Sequence, residues 1–166
     1  MILTLQLKSN FKLSTRTMRI ARVSTVPFFV LTQLGAQINT LKKSGAIVTV
    51  ITSPDVLSKN LSELDGVEFI PVNISREINP IRDFLSLVSL VKIFHSKNFD
   101  IVHSTTPKAG LLCAIAGRIA GVKIRLHTFT GQPWATMHGF KKSLLKFCDS
   151  VIVAHRSEEH TSELQS

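Results

Sequence analysis

The amino-acid sequence predicts an α/β protein in which helices cover both faces of a parallel β-sheet. Short β-branched runs such as 46–52 alternate with segments whose apolar residues recur at helical spacing. The clearest unit is 100–134, where a strand, a helix that begins at Pro107 and ends before Gly121, and a second strand follow one another. Ligands of such sheets bind where the strands end, so we expect a site after both strands of this unit.

The composition indicates one globular domain with a basic surface. The chain has 166 residues, of which 44% are apolar, and this is enough for a packed core. Its formal charge of +9 favours an anionic partner such as phospholipid or a phosphorylated substrate. Nucleic acid is not predicted as a partner, because the sequence has one Trp, no Tyr and no basic run interleaved with aromatic residues.

Cysteine usage and hydropathy favour a cytoplasmic protein, and they leave peripheral contact with the inner membrane open. Cys113 and Cys148 lack the spacing of metal or redox sites and are predicted to be buried free thiols. No apolar run reaches the roughly 18 to 20 residues that a spanning helix needs. Residues 1–17 lack the apolar core of a secretory signal.

Both ends of the chain are expected to lie outside the fold. Met18 directly precedes a strand-like run, so we interpret 1–17 as an upstream extension. Residues 156–166, RSEEHTSELQS, match a translation of a common sequencing adapter and are interpreted as an artefact. The predicted domain is therefore 18–155.

The periodicity places the elements of this domain in order along the chain. Pro at a first helical position and Gly after a last turn mark several of the helix ends. The predicted strands are 20–25, 46–52, 67–72, 101–102, 122–126 and 151–154, and the predicted helices are 31–43, 79–97, 107–120 and 139–147.

The turn after the first strand, 24–29, contains neither the glycine pattern of a dinucleotide site nor that of a P-loop. Ser24 and Thr25 at the strand end are candidate substrate contacts. The apolar rest of the turn fits a lipid or ring substituent, or equally a loop packed into a domain interface.

The predicted strand 101–102 ends in His103, whose imidazole could hydrogen-bond a hydroxyl or phosphate, or only the local backbone. Thr105 and Thr106 are natural N-cap residues for the helix that follows. The same helix start offers free N–H groups beside Lys108, which suits an anionic group. The residues alone leave capping and anion binding equally open.

The segment 127–132, HTFTGQ, is the densest polar cluster in the chain. Alternation along a strand places His127 and Phe129 on one face. Gly131 allows close approach of backbone to a ligand. The candidate substrate contacts of this segment and the next residues are Thr128, Thr130, Gly131, Gln132 and Trp134, the last of which stacks on a sugar ring or closes the domain edge.

A basic and apolar segment follows at 140–147, where Phe and Lys interleave. Such a pattern is typical of a helix lying on anionic lipid, or of a solvated lysine face on a packed helix. The residues expected to face a membrane are Phe140, Lys141, Lys142 and Lys146.

These residues resemble the N-terminal domain of bacterial family 4 glycosyltransferases. The similarity is carried by DIVHSTTPKAGLL, by GVKIRLHTFTGQPWAT, and by the upstream segments 31–54 and 76–83. It implies one Rossmann-like half of a GT-B fold. His103 matches the histidine that ends the family's fourth strand, and 127–132 matches the motif after the fifth. Where many members have a glycine pair after the first strand, this chain has Thr25-Val26-Pro27.

The resemblance implies a fragment of a retaining, metal-independent enzyme with no cofactor. The intact enzyme would transfer a sugar from a nucleotide sugar, held by a missing donor domain, to a lipid-diphosphate-linked saccharide in O-antigen or capsule synthesis. His103 and His127 are then the expected catalytic residues, sharing one crevice, and the fragment alone is expected to be inactive. The alternatives are half of a sugar-nucleotide 2-epimerase and a non-catalytic α/β binding module.

Overall fold

A computed structural model describes residues 17–55, 66–75, 77, 79–129 and 140–155 of the chain. These residues contain a five-stranded sheet with the order β3-β2-β1-β4-β5, in which every neighbouring pair is parallel. The carboxyl ends of all five strands therefore lie at one edge of the sheet. The strands are β1 Arg19–Val23, β2 Ile47–Thr52, β3 Val67–Pro71, β4 Ile101–Ser104 and β5 Ile124–His127.

The helices of the described residues begin mostly at prolines. Proline occupies the first turn of three of them, where its missing N–H removes no helical hydrogen bond. Helix α1 comprises Pro27–Phe29, a π-helical turn Val30–Leu34 and Gly35–Lys43. The later helices are α2 Pro80–Lys97, α3 Pro107–Ile119 and α4 Phe140–His155.

The two faces of the sheet have separate apolar cores. On one face, called here the α1 face, Val30, Leu34 and Ile38 of α1 pack with Val48 and Val50 of β2. On the opposite face, the α2–α3 face, helices α2 and α3 cover β1 and β4, as the buried cluster shows: Ala21, Val23, Leu90, Phe94, Val102, Leu112 and Ala116. The predicted parallel sheet with helices on both faces is confirmed.

One predicted strand is wrong. Residues 151–154 form the end of α4, which extends the helix predicted at 139–147 as far as His155. Ile152 is 2% exposed whereas Val153 is 44% exposed, as one-sided packing of α4 on α3 requires. The four-residue run is too short for its periodicity to separate a strand from a buried helical turn.

Within the described ranges, none of the helices combines the length and the apolarity that crossing a membrane requires.

Candidate functional site

The carboxyl ends of β4 and β5 place their two histidines on opposite faces of the sheet. His103 pairs with Leu126, and Ser104 pairs with His127. Because paired residues share a face and successive residues alternate, His103 lies on the α1 face beside its β1 partner Arg22, and His127 lies on the α2–α3 face. The prediction that both imidazoles share one crevice is wrong. The register places His127 opposite Ser104, one residue beyond His103, so the two rings lie on different faces.

On the α1 face, hydrogen bonds connect α1, β1, β4 and the end of β5. The Arg22 guanidinium donates to Nδ1 of His103 and, over 2.9 Å, to Oε1 of Gln37. Nε2 of His103 lies 2.7 Å from Oγ1 of Thr128. Gln37 and Thr128 are both exposed, so the chain Gln37, Arg22, His103, Thr128 connects two surface positions through the buried Arg22. We call these four residues the Arg22–Thr128 network.

The electrostatics of this network keep His103 neutral. Burial, then the nearby positive charge of Arg22 and the second histidine, lower the pKa of His103 to about 3. Burial also lowers the pKa of Arg22 to about 10, which leaves the guanidinium charged at neutral pH. The site therefore contains a neutral imidazole between a buried cation and a surface hydroxyl.

Sequence reasoning missed Arg22 and Gln37. Arg22 is 3% exposed in the middle of the apolar β1 run RIARV. An arginine at such a position is itself a signal, because buried charges need polar partners. Gln37 lies on an exposed position of α1 with no local pattern to mark it.

On the α2–α3 face, His127 is packed between β4 and α3. Its Nδ1 lies 2.9 Å from the hydroxyl of Ser104, and its ring meets Phe129 edge to face at 4.5 Å. A Cβ atom at Gly110 would lie 2.6 Å from Cε1 of this ring, so α3 approaches closely only because residue 110 is glycine. The shared face of His127 and Phe129 was predicted from alternation and is confirmed.

Burial also governs the ionisation of His127. It lowers the pKa of His127 to about 4, with the negative charge of Asp149 partly opposing the shift. Nε2 of the ring is buried and has no hydrogen-bond partner among the described residues. His127 is therefore a neutral ring in a packed environment.

Hydroxyl groups at the ends of β1 and β2 are buried. Ser24 and Thr52 are both fully buried, and their hydroxyl oxygens have no partner within the described part of the chain. Thr25 is 4% exposed, and its N–H donates to the hydroxyl oxygen of Thr106 over 3.2 Å. The candidate contacts Ser24 and Thr25 thus lie beneath the surface of this structure.

The start of α3 is held by the rest of the fold. Thr106 occupies the N-cap position without a side-chain cap bond, and Thr105 is buried with its hydroxyl donating to the Val23 carbonyl over 3.4 Å. Lys108 forms an ion pair of 2.8 Å with Asp83 of α2 and also donates to the backbone carbonyl of Glu77. The ammonium charge expected to attract an anion is already partnered.

Several predicted residues lie outside the described part of the chain. They are Thr130, Gly131, Gln132 and Trp134, and the side chains of Phe140, Lys141 and Lys142. Lys146 is exposed on α4 beside Phe147, which is 63% exposed.

The described residues were predicted to contain buried free thiols and no metal-ligand cluster. No group of three His, Cys, Asp or Glu side chains in those ranges could hold a metal ion. Cys113 is a buried free thiol, as predicted, and burial raises its pKa. A thiol that stays protonated is a poor nucleophile.

Solved glycosyltransferases share this architecture. A glycosyltransferase from Rickettsia africae superposes with a TM-score of 0.62 at 22% identity, covering 84% of this chain and 35% of that one. MurG from Acinetobacter baumannii superposes with a TM-score of 0.58 at 14% identity, covering 79% of this chain and 39% of that one. This likeness concerns the fold, and it confirms the predicted Rossmann-like half of a GT-B structure.

Curated relatives point to the same class of protein. The capsular polysaccharide biosynthesis glycosyltransferase CapM of Staphylococcus aureus is 32% identical over 125 residues, which are 71% of this chain and 32% of CapM. An Escherichia coli UDP-Gal:alpha-D-GlcNAc-diphosphoundecaprenol alpha-1,3-galactosyltransferase is 43% identical over 63 residues, 38% of this chain and 16% of that relative. The chain thus spans a third or less of the length of these relatives.

The family assignment rests on a longer match than either relative. The sequence model of a family described as Glycosyl transferase 4-like matches residues 19–159, a range that includes all five strands and α1 to α4. The chain belongs to the glycosyl transferase 4-like family.

Proposed function

We propose that this chain is the acceptor-side domain of a retaining glycosyltransferase. The intact enzyme would transfer a sugar from a nucleotide sugar to a lipid-diphosphate-linked saccharide during capsule or O-antigen synthesis. The family match supports this proposal, as do the names of the relatives, one a capsular polysaccharide enzyme and one a transferase to a diphosphoundecaprenol-linked sugar. These names favour sugar transfer over the alternatives of an epimerase half or a non-catalytic module.

The observation that carries the proposal is the exposed hydroxyl of Thr128 at the carboxyl edge of the sheet. It lies 2.7 Å from the partly buried imidazole of His103, in a sheet whose open edge is the usual place for ligands. A hydroxyl held by a neighbouring side chain is preorganised to bind an oxygen-rich saccharide. We place the acceptor on the α1 face near His103 and Thr128.

The structure favours binding roles over proton transfer for both histidines. Each nitrogen of His103 has a partner, and its pKa of about 3 makes it a weak base at neutral pH. His127 lies on the other face against Gly110. We therefore propose that His103 orients the acceptor through Thr128, and that His127 supports the end of β5.

The remaining components follow from the same proposal. The donor nucleotide sugar is a substrate bound by a second domain outside this chain, and the reaction needs no resident cofactor or metal. The chain would work at the inner face of the membrane as a peripheral protein. The net charge of +9 and the exposed pair Lys146 and Phe147 on α4 support attachment to an anionic surface.

Acceptor binding by the 166-residue chain tests the proposal. A short-chain polyprenyl-diphosphate-linked N-acetylglucosamine is titrated into wild-type protein and into T128V. Loss of one hydrogen bond of about 1 kcal/mol is expected to weaken binding about fivefold. T40V is the matched control, because Thr40 is exposed on α1 and donates to the carbonyl of Ala36.

Two outcomes would contradict the proposal. Equal binding by wild-type protein and T128V would exclude Thr128 from the acceptor site. The chain alone is also expected to give no turnover with a nucleotide sugar, so sugar transfer by these 166 residues would overturn its assignment as one half of an active centre.

A further inference from the structure

The Arg22–Thr128 network contains a buried cation with neutral partners. Arg22 is 3% exposed, and the described acceptors of its guanidinium are the Gln37 amide oxygen and Nδ1 of His103. Its Nε is also buried and has no partner among the described residues. Because no carboxylate in that set neutralises it, the positive charge remains effective at the nearby sheet edge.

The contact with Arg22 determines where the proton of His103 lies. An arginine guanidinium has donors and no acceptor, so Nδ1 of His103 must present its lone pair to Arg22. A neutral imidazole then has its proton on Nε2. That N–H points to Oγ1 of Thr128, which accepts it over 2.7 Å.

The direction of this bond defines what Thr128 can do. A hydroxyl that accepts a hydrogen bond still has one proton of its own to donate. Thr128 is exposed, so this proton is available to an acceptor outside the network. The charge on Arg22 polarises the imidazole and the hydroxyl in the same direction, which favours an anionic oxygen over a neutral one.

We propose that Arg22 is a positioning residue that fixes His103 in the Nε2–H tautomer and thereby makes the Thr128 hydroxyl a donor to a phosphoryl oxygen. The identity of that oxygen rests on the proposed function, in which it belongs to the diphosphate of the lipid-linked acceptor. The tautomer itself depends only on the contacts of Arg22 and His103.

The tautomer is measured by long-range ¹⁵N–¹H NMR of the imidazole in the 166-residue chain. In the wild type, the two ring nitrogens of His103 are expected to have widely separated ¹⁵N shifts with the proton on Nε2. In R22M the shifts are expected to converge as the two tautomers exchange, and the pKa of His103 is expected to rise. R22K keeps a cationic donor and should preserve part of the wild-type pattern, while R118M at an exposed arginine of α3 should leave it unchanged.

The ligand class is tested with inorganic diphosphate as the probe. Diphosphate is expected to shift the Thr128 and His103 signals of wild-type protein, and to bind about tenfold more weakly to R22M and T128V. T128S retains the hydroxyl and should retain binding. N-acetylglucosamine alone, as the second arm, is expected to bind more weakly than diphosphate.

The outcomes separate this inference from the proposed function. An Nδ1–H or exchanging His103 in wild-type protein overturns it, and this spectrum decides even where R22M fails to fold. A response to N-acetylglucosamine without one to diphosphate overturns the phosphoryl assignment. A fixed tautomer and a diphosphate response in a chain that does not bind the lipid-linked saccharide would support the inference and contradict the proposed function.

Discussion

The two faces of the sheet treat the same side chain in different ways. His103 and His127 end neighbouring strands and are both held neutral by burial, with pKa values lowered to about 3 and about 4. His103 connects the buried Arg22 to the exposed Thr128, whereas His127 lies against Gly110 with one nitrogen unpartnered in the described residues. The face, more than the residue type, therefore decides whether an imidazole joins a hydrogen-bonded chain to the surface or packs against a helix.

Acidification tests the feature that both histidines share, and it has the largest expected effect. The unfolded chain binds protons at the ordinary imidazole pKa of about 6.5, whereas the folded rings stay neutral to about pH 4 and about pH 3. The contribution of the two neutral rings to the free energy of unfolding is therefore complete above pH 6.5 and decreases as the pH falls below this value. Between the unfolded and the folded pKa, each ring is expected to lower the free energy of unfolding by about 1.4 kcal/mol for each pH unit of acidification.

Urea unfolding between pH 7 and pH 4 measures this loss. H103Q should reduce the slope of the free energy of unfolding against pH by about one proton. H127Q should reduce this slope by a similar amount, but its effect should end near pH 4 and that of H103Q near pH 3. H95Q is the control, because His95 is exposed on α2. An acid dependence that H103Q and H127Q leave unchanged would show that the two rings are not buried as described.

Filling the space beside His127 affects only the α2–α3 face. In G110A the new methyl group would lie within 3 Å of His127 and Ile152, so we expect destabilisation of about 1–3 kcal/mol. G35A is the matched control, since a Cβ at this helical position meets no atom within 4 Å. It should be neutral or slightly stabilising. Chemical unfolding that ranks G110A as stable as G35A would contradict the close approach of α3.

Removing the hydroxyl group that contacts each histidine is expected to have the smallest effects on stability, and the effects should differ between the two faces. S104A takes the partner from the partly buried Nδ1 of His127 and should lower the free energy of unfolding by about 1 kcal/mol. T128V removes a surface hydroxyl and should change stability by less than about 0.5 kcal/mol while weakening acceptor binding. A larger loss of stability in T128V than in S104A would contradict this difference between the two faces.

The sequence predicted the sheet because its strong signals are local. The run at 46–52 contains β-branched residues that face both cores, and Pro80 and Pro107 occupy first turns as predicted. The error at 151–154 has a physical reason: four consecutive apolar residues satisfy a buried strand and a helical turn equally. Burial of Ile152 against α3 decides the outcome, and that contact lies about 40 residues away in the chain.

The site was harder to predict, because the face of the sheet on which a strand residue lies is set only when the sheet is assembled. Alternation gave the relation between His127 and Phe129, but not which face they share. That choice depends on the register with β4 and on the room left at Gly110. Arg22 was overlooked because its partners, Gln37 and His103, come from a helix and a strand that the local sequence does not connect to it.

The central position of β1 determines when the site can form. Its hydrogen bonds to β2 join neighbouring parts of the chain, but Arg22 meets His103 across 81 residues, and the N–H of Arg19 donates to Asp100 across the same separation. Contacts between such distant segments form slowly, because a long loop must close before they add any stability. During synthesis, the guanidinium of Arg22 therefore has no contact with His103 until the first four strands of the sheet have been made.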